Sequence, residues 1–302
     1  MNRHQRRALR TPRRKSERRS TKPDLPAAPR PAYLQSSIEE IIDSERAMIR
    51  DGEVRYGRHY KHARKATMYL TLCVERVDGD RSDIFGRLLS LMKKHHMLAF
   101  LSALRLHHVQ AMMNLRQVLE AGAAAAYCIA NPNVEDFVDI DALGLMDPSK
   151  DLTNKRYEWL DENYAAASSW IKEQKNLINS QTAHANVVSG DRTFLVVGDG
   201  DEASTPFFDV EDEAQVRVDL WQIGSAAVRL MLLFHDVTGD VARTSGRSVL
   251  GFKAGFERTV QGLVAESNAL LDEERGSERF KAAMLKREQR VEASEKAGSG
   301  GR

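Results

Sequence analysis

The residues best suited to chemistry lie in one stretch, from His107 to Ala123. Arg116 and Glu120 stand one helical turn apart on a single face. Gly122 and the alanines after it let a second helix approach closely. The surroundings are apolar, which predicts an ion pair in a tertiary contact or pocket. A surface bridge would contribute under about 1 kcal/mol. Arg ahead of Glu is also the weaker order for stabilising an isolated helix, which leaves room for a tertiary or ligand role.

Other candidate motifs fail on spacing. His59 and His62 share a helix face and form half a metal site, with no third ligand assignable. His96 and His107 also share a face, but eleven residues of helix separate them by about 16 Å, beyond the reach of one ion. No Glu is followed three residues later by His, as a di-iron bundle would need. Gly246 to Gly251 has phosphate-loop glycine spacing, yet Phe252 stands where the lysine belongs. Asp199-Gly200-Asp201 begins like a calcium loop, but Ser204 replaces the required glycine and Val210 the bidentate glutamate. No nucleophile elbow or cysteine-centred catalytic motif is present. Neither a metal nor a cofactor is expected.

The elements that must position these residues are mostly helical. Ser37 and Glu40 form a capping box. The helix it opens passes Ile38, Ile41, Ile42 and Met48 and continues through Met68, Leu72 and Val77, with a bend at Gly52 or Gly57. From Ser82 to Ile129 apolar residues recur at helical spacing. An unbroken helix of that length would measure about 70 Å, against about 45 Å for the diameter of the folded region. A bend or break is therefore expected near residues 95–105. Lys155 to Asn186 reads as a helix capped by Thr153. Phe194 to Val197 and Phe207-Phe208 flank a glycine-rich turn and predict a small β-hairpin. Asp209 is expected to cap a helix through Val216, Leu220 and Phe234, and a further helix runs from Phe252 to Leu270. The expected fold is mainly all-α, an antiparallel helical bundle with a long central helix and one small β-hairpin. It forms one domain over residues 33–272, between a basic and Pro-rich arm (1–32) and a charged helix with a polar tail (273–302).

The chain resembles a group of bacterial helical proteins of unknown function related to the HEPN superfamily. Leu115-Arg116-Gln117-Val118-Leu119-Glu120-Ala121 matches their Leu-Arg-x-x-x-Glu-Ala segment, and Ser180-Gln181-Thr182-Ala183-His184-Ala185-Asn186 looks like their later His motif. The similarity covers residues 38 to 240. It implies that Arg116, Glu120 and His184 gather at one bundle site. Active HEPN ribonucleases pair Arg with a His four to six residues on, the cation stabilising phosphate charge and the imidazole moving protons. Arg55 with His62 and Arg229 with His235 have that spacing, a yield that chance alone supplies.

Charge is distributed unevenly along the 302 residues. Residues 1–22 carry eight Arg and two Lys against Glu17, a net +9, which leaves the remainder at −7 beside a whole-chain charge of +2. Arg3, Arg6, Arg7, Arg10, Arg13, Arg14, Lys15, Arg18 and Arg19 supply most of that charge. Without aromatic residues the arm cannot stack on bases, so its contacts with RNA or DNA would be sequence-blind and salt-sensitive. Pro23, Pro26, Pro29 and Pro31 then make a stiff spacer. No apolar run is long enough to span a bilayer, so no membrane partner is expected. Cys73 and Cys128 are too few for a disulfide framework, which points to a reducing, cytoplasmic setting. The expected function is a noncatalytic helical interaction module that recruits nucleic acid through its arm or docks a protein partner. The alternative is a HEPN-like ribonuclease of a toxin-antitoxin or phage-defence system.

Overall fold

The computed structural model describes residues 37–79, 82–140, 143, 146–182, 190–197, 202–210, 212–246 and 248–277. The basic arm, His184 and residues 278–302 lie outside them.

Ser37 opens the first helix as expected. Its hydroxyl accepts from the amide of Glu40 at 3.1 Å, and α1 spans Ile38–Leu72. The bend falls at Gly57, whose φ of 50° and ψ of −118° suit a residue without a Cβ. The helix ends before Val77, where continuation was expected. Val74–Val77 forms strand β1 instead, because a partner strand from residues 250–252 satisfies its backbone.

The signal over 82–129 is two helices, α2 (Ser82–Leu104) and α3 (His108–Ala130), with the expected break between them. The break lies at Arg105–His107, at the C-terminal end of the expected window. It contains no glycine or proline, and Leu106 takes a φ of 57°. Its cause is distant in sequence. Asp209 donates its amide to the Leu106 carbonyl at 2.9 Å and accepts from the His108 amide through its carboxylate at 2.6 Å. That carboxylate sits at the α3 N-terminus, where the helix dipole favours negative charge. The chain reverses here, and His95 Nδ1 meets Asn114 Oδ1 across the hairpin at 2.8 Å.

Strands β2 (Val138–Ile140) and β3 (Met146–Pro148) pair antiparallel. The helix expected from Lys155 to Asn186 divides at Tyr164, giving α4 (Leu152–Asn163) and α5 (Ala165–Gln181). Thr153 lies inside α4 and does not cap it. The predicted hairpin is present as β4 (Leu195–Val197) and β5 (Glu202–Ser204), with Leu195 opposite Ser204. Its second strand precedes Phe207-Phe208, whose rings instead pack on His107 with centroids 5.2 and 5.4 Å away.

Helix α6 spans Glu213–Ser245. Its cap is Asp212, which accepts from the amides of Ala214 and Gln215 at 3.1 and 3.3 Å. Asp209, the expected cap, is already engaged at the α3 turn. Asp212→Ala is expected to lower stability by about 1 kcal/mol, read as a lower urea midpoint at unchanged slope. Strand β6 (Leu250–Phe252) pairs antiparallel with β1, and α7 (Phe256–Gly276) follows. The bundle is thus mainly helical, with three two-stranded antiparallel sheets among the described residues.

Helices α3 and α6 carry long runs of buried residues, including Ala121–Ile129 and Ile223–Val228. Gly122 permits their approach as its position implies. A Cβ there would lie 2.6 Å from Leu230 Cδ2. Among the described residues, no helix is long and apolar enough to cross a membrane.

Candidate functional site

Arg116 and Glu120 form the expected ion pair, with Nε 3.2 Å from Oε1 and both side chains partly buried. Two further cations converge on the same glutamate. Lys175 of α5 places Nζ 3.2 Å from Glu120 Oε1, and Arg156 of α4 donates from Nη1 to the Glu120 carbonyl at 3.2 Å. Burial opposes ionisation of Glu120, but Lys175 and then Arg116 outweigh it through charge and hydrogen bonds. Its carboxyl is held below the usual carboxylate range. Glu120 therefore stays ionised near neutrality and is a poor proton donor.

Tyr157 forms the wall beside these cations. Lys175 donates to its hydroxyl at 2.9 Å, and the Arg156 guanidinium lies 5.0 Å from its ring centroid. Arg156 is 8% exposed. Its Nε has no hydrogen-bond partner, and it makes no ion pair with a described residue. Arg116 and Lys175 thus face the Glu120 carboxylate while Arg156 is held on its backbone carbonyl, so three cations share one carboxylate's surroundings in a partly desolvated setting where charge is weakly screened. The nearby cations Lys155 and Lys172 are neutralised by Asp136 and Asp161, each at 2.6 Å. Sequence reasoning found Arg116 and Glu120 but missed Arg156, Tyr157 and Lys175, which are brought in by other helices.

His184 lies outside the described residues, so the structure places two members of the expected trio. In the Arg229–His235 pair the two side chains make separate contacts. His235 stacks on Phe256 at 5.3 Å, in an aromatic cluster with Phe252. Arg229 lies over Trp170 at 5.0 Å. His62 is buried and its ring is accommodated by Gly224.

A second polar cluster escaped the sequence reading. His108 Nδ1 donates to Asp219 Oδ2 at 2.6 Å, while Asp219 Oδ1 accepts from Gln215 Nε2 at 2.8 Å. The buried His108 Nε2 has no hydrogen-bond partner. His108, Asp219, Asp209 and Arg192 line a cavity of about 20 Å3, room for about one water molecule. This arrangement orients an imidazole but leaves no space for a substrate beside it.

His59 Nε2 lies 3.4 Å from Glu274, and among the described residues no group of three His, Cys, Asp or Glu is placed to hold a metal ion. Neither cysteine is in a disulfide, and both are buried. Burial pushes the Cys73 thiol up to about 11, which removes the thiolate needed for nucleophilic chemistry. Compared with protein-family models, curated proteins and solved structures, the chain has no match.

Proposed function

We propose that this protein is a noncatalytic helical interaction module that recruits nucleic acid through its basic N-terminal arm, with the Arg116–Arg156–Lys175 cluster adding phosphate contacts from the bundle. The observation that supports this reading is the gathering of three cations around Glu120, Arg116 and Lys175 on its carboxylate and Arg156 on its backbone carbonyl, with one negative charge among them. Such a site attracts phosphate oxygens without reading bases. The arm has the same chemistry, +9 over residues 1–22.

The test is the salt dependence of binding to a labelled single-stranded RNA and a labelled duplex DNA. Affinity should fall steeply with salt and vary little with base sequence. Deleting residues 2–22 should weaken binding and flatten the salt slope. Lys175→Gln should weaken all sequences alike and reduce the slope by about one. Curves unchanged by both alterations would rule the reading out.

A second reading, a HEPN-like ribonuclease, draws on the partly buried Arg116–Glu120 pair, with Arg116 available to stabilise phosphate charge. It requires RNA cleavage that disappears in Arg116→Ala or His184→Ala protein of unchanged melting temperature. Purified protein that leaves diverse RNAs intact counts against it.

A further inference from the structure

A cleft of about 460 Å3 separates the start of α5 from the middle of α6. Its volume is in the range of small-molecule sites. Ile171, Leu230 and Leu233 form a buried apolar floor. The small side chains of Ala165 and Ala166 leave its mouth open, while Trp170 and Arg229 stand together at one end.

Arg229 gives this cleft its chemical preference. Its guanidinium lies 5.0 Å from the Trp170 ring centroid, which holds the plane in place. It forms no hydrogen bond or ion pair with a described residue. Glu173 acts on it only through space, and that carboxylate already accepts from Ser169 at 3.0 Å. Partial burial lowers the Arg229 pKa, reflecting loss of water around the cation. A planar fork of N–H donors therefore stands above an apolar floor without an anionic partner.

The opposite end has the opposite charge. Asp236 lies two helical turns from Arg229, about 10 Å along α6. The Tyr164 hydroxyl donates to Asp240 at 2.6 Å instead, and the imidazole beside Asp236, His235 at 3.7 Å, offsets its charge only when protonated. A second negative charge on a ligand would meet Asp236, so the cleft discriminates against dianions.

We propose that the cleft between α5 and α6 binds a small monocarboxylic acid with an aromatic or short aliphatic body, its carboxylate paired with Arg229 and its body lying on Ile171, Leu230 and Leu233 beside Trp170. This site is separate from the cationic cluster around Glu120 and does not depend on nucleic-acid recruitment.

Ligand-observed NMR and calorimetry on the full chain test the site with three probes of equal shape: 4-phenylbutyrate, 4-phenylbutanol and 4-phenylbutylamine. Decanoate serves as an aliphatic probe. The acids should bind and perturb Trp170 fluorescence, with the change lost in Trp170→Phe. Removing a charged hydrogen-bonding group should weaken phenylbutyrate at least about tenfold in Arg229→Gln. The alcohol and amine should bind at least about tenfold more weakly than the acid. Ala166→Phe should block the mouth at unchanged melting temperature. Failure of both acids to bind at millimolar concentration would overturn the assignment. So would equal binding of all three phenyl probes, an unaltered affinity in Arg229→Gln, or displacement of phenylbutyrate by an oligonucleotide.

Discussion

Lowering the pH from 7 to 4 should remove several kcal/mol of folding stability. Two fully buried histidines are responsible. Burial lowers His62 from 6.5 to about 4, with Glu266 opposing the shift and His59 and Lys65 reinforcing it. Burial also lowers His96 to about 4, against a hydrogen bond to the Ile223 carbonyl. Both imidazoles are neutral in the folded chain near pH 7. Above pH 6.5 they impose no protonation penalty. As pH falls from 6.5 towards 4, the unfolded chain takes up protons that the folded chain does not, so stability falls over that window. Each histidine contributes a loss on the order of 3 kcal/mol by the time the pH is below 4. Urea unfolding at a series of pH values measures it. His96→Gln should reduce the loss by about half, since an amide can still donate to Ile223 without titrating. A flat stability curve between pH 7 and pH 4 would contradict this account.

Gly224→Ala should be among the most damaging single-methyl additions in the chain. A Cβ at Gly224 would lie 2.7 Å from His62 Cδ2, 2.8 Å from His62 Nε2 and 3.2 Å from the Ala63 Cα. The His62 ring is fully buried and the α1 backbone is fixed by its own ladder, so neither yields easily. Overpacking of this kind costs about 1–3 kcal/mol, and a backbone neighbour places this case at the upper end. Helix propensity acts in the other direction by about 1 kcal/mol. The overpacking is the larger effect, with an expected net loss of about 2 kcal/mol. Gly239→Ala is the matching control on α6. Nothing lies within 4 Å of its added methyl, so propensity alone should raise stability by about 0.5–1 kcal/mol. Adding His62→Ala to Gly224→Ala should relieve part of the damage, giving a double variant more stable than the two single losses predict.

The candidate site was legible to the extent that its members lie on one helix. Arg116, Glu120 and Gly122 are separated by turns of α3, and helical periodicity places them without reference to the rest of the fold. Lys175 and Arg156 belong to other helices, and no local spacing identifies which of the chain's many cations will reach Glu120. His108 and Asp219 are 111 residues apart. Their pairing depends on how α3 and α6 are set against each other.

The same division holds for the fold. Ser37 and Glu40 announce a helix start, because the cap acts through a hydrogen bond within a few residues. Mainly helical architecture follows from apolar periodicity alone. Leu106 shows where such signals end. Its left-handed conformation is held by Asp209, from a segment 103 positions away. Val74–Val77 likewise becomes a strand because residues 250–252 arrive beside it. Composition and short-range pattern set which helices form and where charge accumulates. Tertiary packing sets which charges meet, which histidines lose water and which cleft remains open, since those energies depend on neighbours supplied by distant parts of the chain.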